Sequence, residues 1–326
     1  MAGRRPTIVD VAERAGVSRQ TVSRAMNDMA GISPATRSRV LEAAKELSYR
    51  PSRFGRGLVE QGPITVGLVV QDLSNAYFAE LGAAVVRACV PYGWNVVLAE
   101  ADNALVPEDV ARELARRVDA IVGYGMLHGD LRGATGMPVV RIDGTAEQCQ
   151  EMGIIELVFP GATADLVAHL RRAGVHRPVV MDLAGDAEPG TRARALAAAL
   201  APLAESGEVP IHKAHDRVGH VEALQEVLEV GADALVAFND ELAVRLLRAL
   251  RTMGVEVPGR LRVVGLDGLE IGSLVTPELT TLSIDIDAIA AQAVALVAGM
   301  LEGRIPLTGQ EAHRVVPYRL EVRASA

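Results

Sequence analysis

The sequence predicts a small all-helical head joined to a larger α/β body of two parallel-sheet subdomains. Three observations carry that reading. The first fifty residues hold three short apolar-striped segments separated by breaks rich in Gly and Ser. From Ile64 onward, strand-like apolar runs alternate with helical ones more than ten times, more than one sheet comfortably holds. Charge divides along the same line. Residues 1–58 carry 11 Lys and Arg against 5 Asp and Glu, a balance of +6 that leaves −14 for the rest of a chain whose net charge is −8. A basic head on an acidic body directs only the head toward a polyanion.

In the head, Thr7 is a candidate cap for a helix carrying Ile8, Val11, Ala12 and Ala15 at helical spacing. Ala15-Gly16-Val17 breaks it, with Gly16 free to take positive φ. Ser18 then caps a second short helix. Two helices across a Gly-containing turn are the helix-turn-helix pattern. At helical periodicity Arg19, Gln20, Ser23 and Arg24 share an arc of about 140°, while Val22, Ala25 and Met26 point into the core. Arg pairs bidentately with guanine and Gln with adenine, so this face suits a base-reading surface. Ser33-Pro34 opens a third helix, with Val40, Leu41, Ala44 and Leu47 as its apolar stripe, and Tyr49-Arg50-Pro51 closes it.

Residues 51–58 are basic, with Phe54 and Leu58 one helical turn apart and Gly55 and Gly57 weakening any helix. Such a segment folds only when something holds it. The body follows: a strand over 64–70, a helix over about 77–91, a strand over 94–98, a helix over 107–117, and strands over 120–122 and 139–142. Helices over 162–173, 191–205, 219–230 and 240–253 then alternate with strands at 178–181, near Ile211, at 234–238 and at 262–266. A helix over 287–301 and a strand over 314–321 complete the predicted order. The expected domains are therefore 1–50 for the head, 51–62 for a hinge and 63–326 for the two-lobed body.

Composition narrows the class. No apolar run approaches the length of a membrane span, and the N-terminus has no apolar signal region. Cys89 and Cys149 make neither a CxxC nor a disulfide framework, which fits a reducing cytoplasm. Gly123-Tyr-Gly125 lacks the third glycine of a dinucleotide fingerprint. His212, His215 and His220 have no thiol or carboxylate company at metal-ligand spacing and read as a solvated loop. No nucleophile, base and orienter stand at a recognisable elbow. No enzyme, metal or cofactor is expected.

The pattern Thr7-Ile-Val-Asp-Val-Ala12, Ala15-Gly-Val-Ser18, Thr21-Val-Ser-Arg24, Asn27 and Tyr49-Arg-Pro51 resembles the lactose repressor (LacI/GalR) family of bacterial transcription regulators. In the body, Asn75-Ala-Tyr-Phe78, Phe238-Asn-Asp240, Val263-Val-Gly-Leu-Asp267 and Pro277-Glu-Leu-Thr-Thr281 carry the same likeness. The resemblance implies a homodimer on a pseudo-palindromic double-stranded operator. Arg19, Gln20 and Arg24 match base-reading positions, and Thr21, Ser23 and Asn27 match phosphate-holding ones. Thr7, Ser18 and Arg53 are counted with them as DNA-binding. Leu58 matches a hinge leucine that wedges into the minor groove. Ser52 and Gly55 depart from the usual Asn and Ala of the hinge.

For the body, the resemblance implies two lobes like those of periplasmic sugar-binding proteins, with a small hydroxyl-rich effector between them. Tyr77, Phe78, Asp143, Arg194, Asn239 and Asp267 match its ligand-contacting positions, Arg194 as the second Arg of Thr191-Arg-Ala-Arg194. Independently, Asp143 and Asp267 each follow an apolar strand, where α/β sheets place ligand groups. Gly268 stands where an acidic or amide residue is usual, and Ile284 where a Gln is common. With no extension after Arg323, assembly should stop at a dimer.

Overall fold

A computed structural model describes residues 8–26, 31–47, 63–101, 107–124, 136–183, 188–214 and 220–326. The head consists of α1 (Ile8–Ala15), α2 (Arg19–Met26) and α3 (Pro34–Glu46). Gly16 takes φ +63 at the end of α1, and the amides of Gly16 and Val17 close onto the carbonyls of Glu13 and Ala12. Ser33 caps α3 through the amide of Thr36 at 3.1 Å, with Pro34 as its first residue. Val11, Ala12, Ala15, Val22, Ala25, Val40, Ala43 and Ala44 form the buried core of the three helices. One expected member is displaced. Leu41 is 46% exposed, because the inward face of α3 runs through 40, 43, 44 and 47, and position 41 falls beside it.

The remaining strands and helices build two six-stranded sheets in two compact units. The first unit comprises the chain to Gln71, Val86–Ile154 and Ala293–His313. The second comprises Asp72–Val85, Ile155–Gln292 and Arg314–Ala326. One sheet contains β1 (Thr65–Val70), β2 (Asn95–Glu100), β3 (Ala120–Tyr124), β4 (Val139–Ile142), β5 (Gly153–Val158) and β11 (His313–Pro317), in the order β11-β5-β4-β3-β1-β2. Helices α4 (Ala76–Cys89) and α5 (Pro107–Leu114) belong to this part of the chain, and Val69, Ala111, Ile121, Val139 and Ile154 are among its buried residues.

The other sheet contains β6 (Pro178–Leu183), β7 (Ile211–Ala214), β8 (Ala234–Ala237), β9 (Arg262–Asp267), β10 (Thr280–Ser283) and β12 (Arg319–Glu321), in the order β12-β10-β9-β8-β6-β7. Helices α6 (Pro160–Arg172), α7 (Thr191–Leu200), α8 (His220–Glu229), α9 (Asp240–Thr252) and α10 (Ile286–Leu301) complete the fold. The core of the second unit packs Val179, Met181, Leu235 and Val263 from the strands against Leu224 of α8 and Leu246 of α9.

Three expectations change. The strand expected over 314–321 is two strands, β11 and β12, divided around Tyr318 and belonging to different sheets. The predicted order also lacked β5 and β10. Both lie in mostly apolar or Thr-rich stretches whose four to six residues carry no clear alternation. The helix expected over 191–205 ends at Leu200, where Pro202 forces a 3₁₀ turn over Ala201–Leu203. The neighbouring pairs β2-β1-β3-β4 and β7-β6-β8-β9-β10 are all parallel, and β12 runs antiparallel to β10.

Candidate functional site

In the head, α2 is set by its cap. The Ser18 hydroxyl accepts from the amide of Thr21 at 3.1 Å, and the Ser18 carbonyl accepts from that of Val22 at 3.0 Å. Val22 and Ala25 anchor the inner face, 0% and 3% exposed. Arg19, Gln20 and Arg24 are exposed on the outer one, with Ser23 half-buried beside them. Thr21 is also half-buried, and its hydroxyl shares a 2.9 Å hydrogen bond with that of Ser18. Two guanidiniums and an amide therefore project from a helix whose back is fixed. Thr7, Asn27, Arg53 and Leu58 lie outside the described residues, as does the hinge segment 51–58.

The second unit has a crevice fixed by topology. From β6 the chain passes through α7 to β7 on one side, then returns through α8 to β8 on the other. The order reverses between β6 and β8, and ligands of open α/β sheets bind outside the carboxyl ends of strands at such a point. Asp182, Phe238, Asn239 and Asp267 lie at or just beyond those ends, on β6, β8 and β9. Asn239 is 4% exposed and caps α9, its Oδ1 accepting from the amide of Leu242 at 2.8 Å. Asp267 is equally buried and takes φ +120.

Asp143, at the end of β4 in the first unit, takes φ +60. Asp143 and Asp267 are the only residues other than glycine with positive φ among the described residues. Such a conformation costs of order 1–3 kcal/mol for a residue with a Cβ and gathers at functional sites. Beside Asp143, burial lowers the pKa of the Arg141 guanidinium, while Asp143 and Glu151 oppose that shift.

The arginine beside Asp267 is not the one singled out by sequence. Arg192, in the first turn of α7, stands 3.9 Å from Asp267 Oδ1 and 4.9 Å over the ring of Phe238, with its side chain 16% exposed. Arg194 is exposed, and its guanidinium donates to the carbonyl of Pro189 and, at 3.4 Å, to the hydroxyl of Thr191. Helical spacing accounts for the difference, since residues two apart face different ways. Tyr77 and Phe78 are buried in the first turn of α4, 3% and 6% exposed, with their rings edge to face at 5.5 Å.

Two buried carboxylates were not anticipated. Asp182 accepts from the amides of Leu183 and Gly190, at 2.9 and 2.8 Å, and so ties the start of α7 to β6. Its signal was the same as for Asp143 and Asp267, a carboxylate at an apolar strand's end, but the strand was expected to stop at Met181. Asp240 is fully buried. It accepts from the Thr281 hydroxyl at 2.6 Å and the Leu269 amide at 2.7 Å, and burial pushes its pKa up against those bonds. It fits only because position 265 is glycine, since a Cβ there would lie 2.1 Å from Asp240 Oδ1.

The two departures beside Asp267 also have physical reasons. Gly268 takes φ +78, and a Cβ would meet Ser283 Cβ at 2.4 Å and its backbone Cα at 2.8 Å, so no side chain fits. Ile284 is 7% exposed, and its amide donates to the Asp267 carbonyl at 3.2 Å. His212 departs from the expected loop: it lies on β7, with Nδ1 3.4 Å from Glu226 of α8. His215 is outside the described residues. No cluster of His, Cys, Asp and Glu able to hold a metal occurs among the described residues.

Comparison with known proteins matches this architecture at both ends. Residues 7–52 match the bacterial regulatory proteins of the lacI family, and residues 167–326 match the periplasmic binding protein-like domain. Catabolite control protein A of Streptococcus mutans is 30% identical over 90% of this chain and 91% of its own. That of Priestia megaterium is 28% identical over 98% of each chain. The crystal structure of a LacI family transcriptional regulator from Arthrobacter in complex with lactose superposes with a TM-score of 0.73. It is 28% identical and covers 81% of this chain and all of its own.

Proposed function

The chain belongs to the LacI family of bacterial regulatory proteins, and we propose that it represses transcription as a homodimer on a two-fold operator, released or recruited by a small hydroxyl-rich effector such as a sugar. It is a DNA-binding transcriptional regulator and not an enzyme. The observation that carries the operator reading is the outer face of α2, where Arg19, Gln20 and Arg24 are exposed on a capped and buried-backed helix. Arg19 and Gln20 read base edges, and Thr21, Ser23 and Asn27 hold phosphates. Thr7, Ser18 and Arg53 add contacts to the backbone, and Leu58 wedges the minor groove at the operator centre. The domains divide as 1–50, 51–62 and 63–326. A protein that acts on the chromosome works in the cytoplasm. Among the described residues no helix is long and apolar enough to cross a membrane.

Exposed apolar residues support the dimer. The edge strand β2 exposes Val97 and Leu98 by 38% and 42%, next in sequence to exposed Val90 and Tyr92. An uncovered apolar edge is a liability that a second copy removes. For the effector, the lactose held by the Arthrobacter relative supports a sugar. The groups that would grip it in the second unit are Asn239, Asp267 and an arginine of α7; Tyr77, Phe78 and Asp143 are the other positions that the family resemblance assigns to the ligand. Carboxylates, an amide and a guanidinium suit a ligand dense in hydroxyls.

The test has two parts. Enrichment of bound DNA from a random pool should return a two-fold symmetric site. A thermal-shift panel of mono- and disaccharides, lactose included, should raise the melting temperature for the effector alone. Enrichment of a single asymmetric half-site, or of no site, would reject the operator reading.

A further inference from the structure

A second concavity lies in the second unit, between α6 and α7. It encloses about 790 Å³, within the roughly 300–1,000 Å³ of ordinary small-molecule pockets. Its base is Leu157, Val158 and Phe159, at the end of β5 and just after it. One wall is Ala164, Val167 and Arg171, three and then four residues apart on α6, and the other is Ala195 and Ala199 of α7. The space exists because three alanines face it, Ala164 from one helix and Ala195 and Ala199 from the other. Both Ala164 and Ala195 are exposed, so neither is held in the core.

Charge selects the occupant. The ionisable groups lining the cavity are Glu156, Arg171 and Arg192. Arg192 is engaged with Asp267 and Phe238. The guanidinium of Arg171 is exposed and makes no ion pair or hydrogen bond among the described residues. An apolar trough of ligand size with an unpaired guanidinium on its wall has a complementary shape in an amphiphilic anion. The geometry points to this cavity as a binding site for a medium-chain carboxylate, its apolar body between α6 and α7 and its carboxylate on Arg171. The planar fork of arginine donates two parallel bonds to a carboxylate. This site shares Arg192 with the strand-end crevice but takes its shape from α6 and α7 and its free charge from Arg171, so it does not rest on the effector reading. Arg192, which also lines the cavity, is the residue through which an occupant would reach Asp267.

Calorimetric titration of the full-length chain tests it, with decanoate and decyltrimethylammonium each kept below its micelle concentration. Decanoate should saturate one site per chain, and the cationic counterpart should bind at least about tenfold more weakly. Arg171→Gln should weaken decanoate by about tenfold, the loss of a charge-assisted pair. Ala164→Trp and, independently, Ala195→Trp should abolish binding while keeping the parent's melting transition, because each fills the cavity from an exposed position. No saturable binding, equal affinity for the two amphiphiles, or full binding by a folded tryptophan variant would overturn the proposal. Operator binding measured on the same preparations separates failure of this site from failure of the regulator reading.

Discussion

Asp267 is held at φ +120 with Arg192 beside it, while Arg194 turns to the Pro189 carbonyl in front of its own helix. A ligand hydroxyl that loses a charged hydrogen-bond partner in a buried crevice typically loses about 1–3 kcal/mol or more. Arg192→Ala and Asp267→Ala should therefore still bind operator but lose most of the effector response, and Arg194→Ala should lose less. Calorimetric titration of the sugar found by thermal shift, on each variant, checks the order. Full response in Arg192→Ala with none in Arg194→Ala would return the role to the second arginine. The residue types at the crevice were legible because strand-ending carboxylates carry a local signal. Which arginine of Thr191-Arg-Ala-Arg194 faces inward was not, because that depends on how α7 is rotated against β6. Asp240 gives a pH prediction. Burial raises its pKa in the folded chain, so between the ordinary aspartate value and the raised one the folded state binds more protons than the unfolded. Stability from this group is thus greatest below the ordinary value and falls as pH rises through that window. The unfolding free energy of the parent relative to Asp240→Asn should accordingly increase as pH is lowered, as urea titrations at several pH values would show. A difference that stays flat or grows with pH would contradict the assignment.

At the scale of elements, the helix starts of the head were written into the chain by capping chemistry. Ser18 and Ser33-Pro34 both act as read, because an N-cap is a contact between residues three apart and needs no tertiary partner. The long α/β alternation was legible for the same reason, each helix stripe and apolar strand being periodic over its own length. The short strands β5 and β10 were not, since four to six residues without clear alternation look the same in a strand and a loop until a neighbouring strand pairs with them. The division of 313–321 into strands of two different sheets is likewise a tertiary fact. The hinge remains an expectation from its sequence, as residues 51–58 lie outside the described ones. Its two glycines each cost a helix about 1 kcal/mol relative to alanine, so it should fold only against DNA. Amide exchange of 51–58 should be fast in the free chain and slowed on operator, and Leu58→Ala should reduce both affinity and the bend measured by gel phasing. Equal protection with and without operator would reject folding on binding.

For the whole molecule, the separation of charge and the exposed apolar edge point the same way. The +6 of the first 58 residues concentrates attraction for phosphate in the head, and the −14 of the remainder opposes contact elsewhere. A dimer places two such heads on one duplex, so losing the dimer should lose most of the affinity. Leu98→Glu, on the exposed face of β2, should shift the chain from dimer to monomer in sedimentation velocity and weaken operator binding by at least about tenfold. A tetramer at micromolar concentration, or a dimer untouched by the substitution, would contradict the assembly. The reading of α2 as the element that selects DNA sequence is tested most directly by repeating the random-pool enrichment with Arg19→Ala beside the parent. The substitution should cost about 1–3 kcal/mol on the parent's site and relax preference at one symmetry-related position in each half-site, leaving the others unchanged. An unchanged preference at every position, whatever the loss in affinity, would contradict it.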